Sequence, residues 1–200
     1  PAFQQVQAEA AEANNPNHLE SKIKFAMCQI YGLGTSKDII QGVDKLFDIY
    51  LDGKAFSTVA HKLLSSSSIK QICSGEELRA LFEYYNDRLV LNEARTQTII
   101  GILYGHGIGV PNETPALESQ TQQSAKQLAV AWYSMAAIQN YAPAQAFIGF
   151  HYQTSSGVPN GTPELDFQNQ QLAVAWYRVA AEKNYLPAQA VTKNGQITGA

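Results

Sequence analysis

A block of about twenty residues occurs twice in the C-terminal half of the chain, and this repetition constrains the fold more than any single motif. The segment 128–133 (LAVAWY) recurs at 172–177, and the later segment 143–146 (PAQA) recurs at 187–190. A repeated unit of this size cannot bury its apolar face alone, so neighbouring units must stack and share a continuous core. The sequence therefore predicts an array of helical repeats.

Composition and charge agree with a folded chain and exclude two classes of partner. Of the 200 residues, 45% are hydrophobic, and the formal net charge is -3 without any basic run, which argues against nucleic acid as a partner. No apolar stretch approaches the roughly 18 residues that a membrane span needs. The start at Pro1 carries neither an initiator methionine nor a signal region, so we expect a processed piece of a longer product.

The two cysteines, Cys28 and Cys73, are too few for a disulfide framework and lack the spacing of a zinc site. Cys28 falls at a predicted core position, where a reduced cysteine acts as a small apolar residue. Cys73 follows the serine run 65–68, and it is expected to be partly exposed in a loop.

The first helix of each repeat, helix A, is marked by an apolar residue, a small residue, two variable positions and a tyrosine or leucine. The pattern occurs at 27–31, 59–63, 100–104 and 148–152. The small residue allows a neighbouring helix to approach closely, and the larger one covers the same face one turn later. With positions of the second helices added, the predicted repeat core consists of Met27, Cys28, Tyr31, Ala60, Leu63, Gly101, Tyr104, Trp132, Ala137, Gly149, Tyr152, Trp176 and Ala181.

A second amphipathic helix, helix B, follows each helix A, because apolar residues recur at three- and four-residue intervals. These helices are predicted at about 37–51, 75–89, 122–138 and 167–183, and the segment 3–13 has the same character. The resulting division is one solenoid domain with a preceding repeat end at 1–17, repeats at 18–53, 54–90, 91–140 and 141–185, and a terminal partial repeat and tail at 186–200.

The two C-terminal copies carry a pattern that is specific to one family. It runs Ile100-Gly101-x-x-Tyr104, Gly107-x-Gly109-Val110 and Ala129-x-x-Trp132-Tyr133-x-x-Ala136-Ala137, and it returns as Gly149, Tyr152, Gly157-Val158, Ala173, Trp176-Tyr177 and Ala180-Ala181. This pattern resembles the Sel-one-like repeat, a relative of the tetratricopeptide repeat. The first two repeats depart from it, since Gly34-Thr35 is only a remnant of the glycine loop.

The resemblance implies an all-α, right-handed superhelical α-solenoid of antiparallel helix pairs whose first helices line a concave surface. Such proteins are adaptors or scaffolds, so we expect a monomer with a protein or peptide partner and neither a cofactor nor a metal. The resemblance favours a bacterial periplasmic, secreted or host-delivered protein, with the cytoplasm or the eukaryotic endoplasmic reticulum lumen as alternatives.

Concave positions transferred from the related tetratricopeptide helix give a predicted partner-binding surface of cations, amides and apolar groups. Its members are Lys22, Phe25, Gln29, Lys54, Ser57, His61, Arg95, Thr98, Ile102, His106, Ala146, Phe150 and Gln153. This mixture suits an acidic or C-terminal carboxylate ligand at one end and an apolar anchor at the other. Phe150 and Ile102 are the strongest candidates, because a large apolar side chain on an exposed face indicates a covering partner.

Catalytic motifs have simpler interpretations. His18, His61, His106 and His151 are 43 to 45 residues apart, so they occupy successive repeats and do not converge on a metal. The match of Ser67-x-x-Lys70 to a nucleophile motif lies in a serine run that is interpreted as a flexible turn. The glycines of 105–109 follow a helix, which favours a helix stop over a phosphate loop.

The remaining motifs are also interpreted structurally. Glu76-Glu77 and Glu164-x-Asp166 lie at predicted helix starts, where carboxylates stabilise the helix dipole. The Trp-Tyr pairs are predicted to pack between repeats, with carbohydrate stacking as the alternative. Asn112 and Asn160 begin glycosylation sequons in equivalent loops; a secretory eukaryotic host could attach glycans there, whereas in a bacterium, the favoured source, they are turn residues.

The sequence therefore predicts a protein-interaction module without enzymatic activity. Two alternatives stay open: a non-catalytic regulatory segment of a larger enzyme, and a small hydrolase or carbohydrate-binding domain.

Overall fold

The structure is a computed structural model that describes residues 2–12, 18–54, 57–110 and 118–193. Within these ranges the chain forms helices, turns and loops, without a β-strand. It divides into two compact units, residues 1–81 and 82–200. The fold is an all-α helical repeat, as the sequence predicts.

The first unit contains the helices α1 (Ala2–Ala11), α2 (His18–Tyr31), α3 (Ile39–Asp52), α4 (Ser57–Leu63), α5 (Ser66–Ile72) and the beginning of α6 (Gly75–Asp87). Consecutive helices pack on one another from α1 to α4. Asp38 caps α3 by accepting a hydrogen bond from the Gln41 backbone N at 2.9 Å, and Gly53 ends it in a left-handed conformation. Local sequence signals therefore set both ends of α3.

Helices α2 and α3 approach each other closely at Gly42. A Cβ atom at this position would lie 2.6 Å from Ile30 Cγ1 and 2.7 Å from the Ala26 backbone O. Ala26 and Ile30 are fully buried, whereas the predicted core residues Met27 and Cys28 are only partly buried. The small residue that allows the close approach of α2 and α3 is therefore Gly42 on the second helix, and not Cys28 on the first. The core face of α2 is shifted by one position from the prediction.

The segment 65–73 differs from the predicted flexible turn because it forms a helix. The Ser65 hydroxyl accepts a hydrogen bond from the Ser68 backbone N and caps α5. Ser74 and Glu77 then cap α6 reciprocally, because Ser74 N donates to Glu77 Oε2 at 2.7 Å and Glu77 N donates to Ser74 Oγ at 3.2 Å. Serine therefore starts helices here, and the prediction for Glu77 as a cap is confirmed.

The second unit contains the end of α6, a short 3-10 turn (Arg88–Leu91), and the helices α7 (Ala94–His106), α8 (Glu118–Ile138), α9 (Ala142–Gln153), α10 (Pro163–Glu182) and α11 (Leu186–Lys193). Each helix from α7 to α10 packs on its successor. Glu164 and Asp166 lie in the first turn of α10, as predicted for helix-capping carboxylates.

The helix pairs of the second unit meet through a glycine on helix A and a tyrosine on helix B. A Cβ atom at Gly101 would lie 2.5 Å from Tyr133 Cε1, and one at Gly149 would lie 3.1 Å from Tyr177 Cδ2. Tyr133 and Tyr177 are 3% and 5% exposed. The neighbouring Trp132 and Trp176, which the sequence analysis placed in the core, are only partly buried.

The burial of Tyr31 and of Cys73 also differs from the prediction. Tyr31 is 50% exposed, because the core face of α2 is centred on Ala26 and Ile30. Cys73 is buried at the end of α5, and its burial raises the pKa of the thiol to about 11. Among the remaining predicted core positions, Ala60, Gly101, Ala137 and Gly149 are buried, and Leu63, Tyr104, Tyr152 and Ala181 are partly buried.

Candidate functional site

A groove of about 930 Å³ lies between α1, α2 and α3 in the first unit. Three residues of the predicted binding surface, Lys22, Phe25 and Lys54, line this groove together. The third helix of the groove contributes Lys45 and Ile49, which the sequence analysis did not select. The groove therefore gathers predicted residues from two segments that are about thirty positions apart in the sequence.

The groove combines an apolar wall with cations. Leu19, Phe25 and Ile49 supply large apolar side chains, and Ala10 lies beside them. The Lys45 Nζ atom lies 5.2 Å from the centroid of the Phe25 ring, within the range of a cation–π contact. This contact holds a positive charge directly beside an apolar surface.

The lining contains three lysines and two aspartates, Asp48 and Asp52, so its charges are only partly neutralised. Lys54 Nζ pairs with Asp52 Oδ1 at 3.1 Å, but the side chains are 63% and 41% exposed, so the pair is weak. Lys22 has no ion pair among the residues that the structure describes. Within the same described part, the Nδ1 atom of His18 in the lining is buried without a hydrogen-bond partner. A ligand that enters this groove therefore meets lysine side chains beside an apolar wall.

The other predicted binding residues of the first unit lie apart from this groove. Gln29 is buried, and its Nε2 atom donates a hydrogen bond to Gln41 Oε1 at 3.1 Å. His61 is exposed and stacks on Tyr50, with a ring-centroid distance of 5.1 Å. The side chain of Ser57 lies outside the described residues.

In the second unit, Thr98, Ile102 and Ala146 are buried, which corrects the prediction that they lie on an exposed face. Every residue of α7 from Thr96 to Leu103 is buried, and Ile102 is only 1% exposed. A helix that is buried on all sides belongs to the interior and offers no open face. Ile102 is therefore a packing residue and cannot anchor a partner.

Phe150 is exposed, as a partner-binding residue must be. Its side chain is 51% exposed on α9, and its ring meets the His151 ring edge to face at 6.0 Å. Arg95, His106 and Gln153 are partly buried, and Gln153 Oε1 accepts a hydrogen bond from the Tyr177 hydroxyl at 3.0 Å. Gln153 thus supports the α9–α10 pair.

His151 fastens the loop that follows α9. Its Nδ1 atom donates to the Ser156 backbone O at 2.6 Å, and its ring lies 5.4 Å from that of Tyr133. Burial lowers the pKa of His151, the hydrogen bond to Ser156 partly opposes this shift, and Lys126 adds to it. The neutral imidazole is therefore the form that the folded chain prefers.

This preference predicts an acid-sensitive stability. The unfolded chain binds the His151 proton at a pKa near 6.5, and the folded chain binds it at a lower pKa. Stability from the neutral form is therefore complete above 6.5 and is lost as the pH falls toward the folded pKa. Urea unfolding at about pH 7.5 and about pH 5.5 should show less stability at the lower pH.

The substitution His151→Leu isolates this effect, because the equivalent position of the preceding repeat is the buried Leu103. The variant should lose part of the acid sensitivity, whereas the exposed-site control His61→Gln should keep it. An unchanged pH dependence in His151→Leu contradicts the assignment.

The motifs considered as catalytic in the sequence have structural explanations in the described part of the chain. Groups of three or more His, Cys, Asp or Glu side chains that suit a metal are absent there. Ser67 and Lys70 lie on the short helix α5. The glycines after α7 stop the helix, because Gly107 is left-handed and Ile108 N donates to Leu103 O at 2.9 Å.

The structure describes one of the two sequons. Asn112 lies outside the described residues, and the exposed Asn160 donates from Nδ2 to the Ser155 backbone O at 2.7 Å. Helices long and apolar enough to cross a bilayer are absent from the described ranges.

The helix pairs and their glycine loops define an all-α helical-repeat protein. The family model of the Sel1 repeat matches residues 23–44, 94–114, 121–141 and 142–185, together more than half of the chain. The chain belongs to the Sel1 repeat family. Proteins of this family generally serve as protein-interaction scaffolds and are typically non-catalytic.

Two solved structures are similar to the chain. A Sel1 repeat protein from Oxalobacter formigenes is 22% identical, with a TM-score of 0.39, over 90% of this chain and 89% of that one. The protective antigen c5321 of uropathogenic Escherichia coli, which displays an SLR fold, is 19% identical with a TM-score of 0.42. That match covers 93% of this chain and 34% of the antigen. Comparison with curated proteins gave no match.

Proposed function

We propose that this chain is a non-catalytic protein-interaction module that binds a peptide segment of its partner in the groove between α1, α2 and α3. The gathering of Lys22, Phe25 and Lys54 in one groove supports this proposal most strongly. Lys22 and Phe25 share one face of α2 because of helical spacing, and the additional support is that Lys54, which follows α3, lines the same groove.

The chemistry of the groove favours a peptide with a carboxylate next to a large apolar side chain. Lys22 and Lys45 are available to an acidic side chain or a C-terminal carboxylate, and Phe25 and Ile49 form the apolar wall. The cations contribute orientation and association rate, and burial of the apolar side chain contributes most of the affinity. The volume of about 930 Å³ suits a few residues of an extended chain.

Selection from a random heptapeptide display library on the full chain tests this function. We expect selected peptides to carry an acidic residue or a free C-terminus beside an apolar residue. The double reversal Lys22→Glu/Lys45→Glu should weaken binding of these peptides at least tenfold, or about 1.4 kcal/mol, because attraction becomes repulsion. Fluorescence polarisation with labelled synthetic peptides measures the change.

The control is Lys62→Glu/Lys70→Glu, which makes the same change of net charge at exposed lysines of α4 and α5. It should leave the affinity within about twofold, since exposed charges at a distance are screened. A similar loss of affinity in both variants would mean that the change in net charge, and not the loss of the groove lysines, weakens binding. Failure to select any peptide would reject the proposed function.

A further inference from the structure

The helix pairs α2/α3, α7/α8 and α9/α10 end in the same local structures, so their positions can be matched. After the first helix, the backbone N of residues 33, 108 and 156 donates to the backbone O five positions earlier, at 2.9 Å in each pair. After the second helix, left-handed residues follow at 53, 140 and 184, and each backbone N donates to the backbone O three positions earlier. The positions that this matching aligns are Lys22, Gln97 and Gln145 on the first helices, and Asp52, Gln139 and Lys183 at the ends of the second helices.

In the second unit, a hydrogen bond between these two positions closes each helix pair. In α7/α8, Gln139 Nε2 donates to Gln97 Oε1 at 2.8 Å. In α9/α10, Lys183 Nζ donates to Gln145 Oε1 at 3.0 Å and also to the O and Oδ1 atoms of Asn140, just after α8. Gln97 and Gln145 are both buried. Each closed pair therefore combines an acceptor on the first helix with a donor at the end of the second.

In the first unit, the donor and the acceptor have exchanged places. The first helix carries Lys22, which only donates, and the second helix ends with Asp52, which only accepts when it is ionised. Asp52 pairs with Lys54 at 3.1 Å, and within the described ranges Lys22 pairs with no carboxylate. The contact that closes the pairs of the second unit is therefore not made here, and the partly buried Lys22 lines the groove.

The three lysines of the lining differ in their surroundings. Lys45 lies over the Phe25 ring, and Lys54 pairs with Asp52. In the part of the chain that the structure describes, Lys22 has neither kind of contact. Lys22 is therefore the cation of the groove whose donors are left for a ligand.

Lys22 lies in the middle of the groove and not at one end. The lining on α2 runs from His18 to Phe25, about 10 Å along the helix, and Lys22 stands between them. An extended peptide covers this length with about three residues. A peptide that fills the groove continues on both sides of Lys22, so it presents a side chain there and not its C-terminal carboxylate.

We propose that Lys22 determines the specificity of the groove by binding an acidic side chain within the peptide. The carboxylate of that Asp or Glu takes the place, beside the first helix, that the side chains of Gln139 and Lys183 take in the second unit. A ligand ammonium group at the same point would meet the Lys22 ammonium and is rejected. This assignment rests on the proposed function of the groove, and it names the residue and the ligand group on which recognition depends.

Amidated heptapeptides from the display selection, with their acidic residue either kept or changed to lysine, test this role of Lys22. Fluorescence polarisation with the full chain should show a preference of at least about tenfold for the acidic peptide. Lys22→Gln, which introduces the residue of the second unit, should bring the two affinities within about twofold. The control Lys45→Gln removes the same charge from the lining and should keep a preference of at least about fivefold. Peptides that bind without this preference, or only with a free C-terminus, would overturn the proposal and leave the proposed function standing.

Urea denaturation of the full chain tests the matched positions without any peptide. Asp52→Lys places a second cation beside Lys22 and should lower the urea midpoint. In the Lys22→Gln background, the same substitution restores the donor and the acceptor of the second unit, so the midpoint should be at least about 0.5 M more favourable than in the wild-type background. An equal shift in both backgrounds would overturn the proposal, because residues 22 and 52 would then not face each other across the groove.

Discussion

Replacing Tyr133 with alanine should lower the free energy of unfolding of the second unit by about 3–5 kcal/mol, the largest effect that we expect from a single substitution. The Tyr133 ring is 3% exposed, stacks on Phe147 at 5.0 Å and lies against Gly101. Removing it leaves a cavity between α7, α8 and α9 that neighbouring side chains cannot fill without moving a helix. Urea denaturation followed by far-UV circular dichroism measures the loss.

The matched comparison is Trp132→Ala, one position earlier on the same helix. Trp132 is larger but only partly buried, so its truncation should cost about 1–2 kcal/mol. The order of the two variants distinguishes the structure from the sequence-based expectation, which placed the tryptophan in the core. A greater loss for Trp132→Ala than for Tyr133→Ala would contradict the observed helix orientation.

Replacing Gly101 with alanine should destabilise the second unit by about 1 kcal/mol, although alanine is the better helix former. The added Cβ would lie 2.5 Å from Tyr133 Cε1, and the stacking of Tyr133 on Phe147 prevents the ring from moving aside. Overpacking of this kind costs about 1–3 kcal/mol and exceeds the gain of about 1 kcal/mol in helix propensity. Urea denaturation again measures the change.

Two other glycines of the same unit provide graded controls. At Gly149 the new Cβ would lie 3.1 Å from Tyr177, so the steric cost and the propensity gain should nearly cancel. At Gly105 the nearest atom is 3.6 Å away, so alanine should stabilise the unit by about 0.5–1 kcal/mol. A Gly101→Ala variant as stable as Gly105→Ala would contradict the close glycine–tyrosine contact.

The helical repeat was predictable because its sequence pattern occurs in several successive copies. The second helices expected near 37–51 and 122–138 correspond to α3 and α8, since periodicity and capping residues act within one segment. Orientation was harder to predict. Trp132 and Tyr133 are adjacent, and only the position of Gly101 on the facing helix selects Tyr133 for the core. A search for small residues opposite large ones would have found this pair.

The segment 65–73 was predicted less well, because its residue types are compatible with more than one local structure. Serine is common both in turns and at helix starts. Here the Ser65 hydroxyl accepts a hydrogen bond from the Ser68 backbone N, so Ser65 is the N-cap of α5. Cys73 lies in the short bend between α5 and α6, as its predicted loop location requires, but it is buried there, so the predicted exposure is wrong.

The candidate site was partly predictable. Lys22 and Phe25 lie one turn apart on α2, so their common orientation follows from helical spacing. Lys45 and Ile49 were missed because positions were transferred to first helices only, although their own four-residue spacing on α3 was a usable signal. The prediction that Ile102 is exposed was wrong because α7 is buried on all sides. This burial comes from the neighbouring helices and cannot be deduced from the sequence of α7 alone.

Hydrogen exchange of the full chain with and without a selected heptapeptide tests the central claim most directly. Peptide binding in the groove should slow backbone exchange in α2 around Lys22 and Phe25 and in α3 around Lys45 and Ile49. Slowed exchange confined to α9 around the exposed Phe150, with α2 and α3 unchanged, would contradict the assignment of the groove as the binding site.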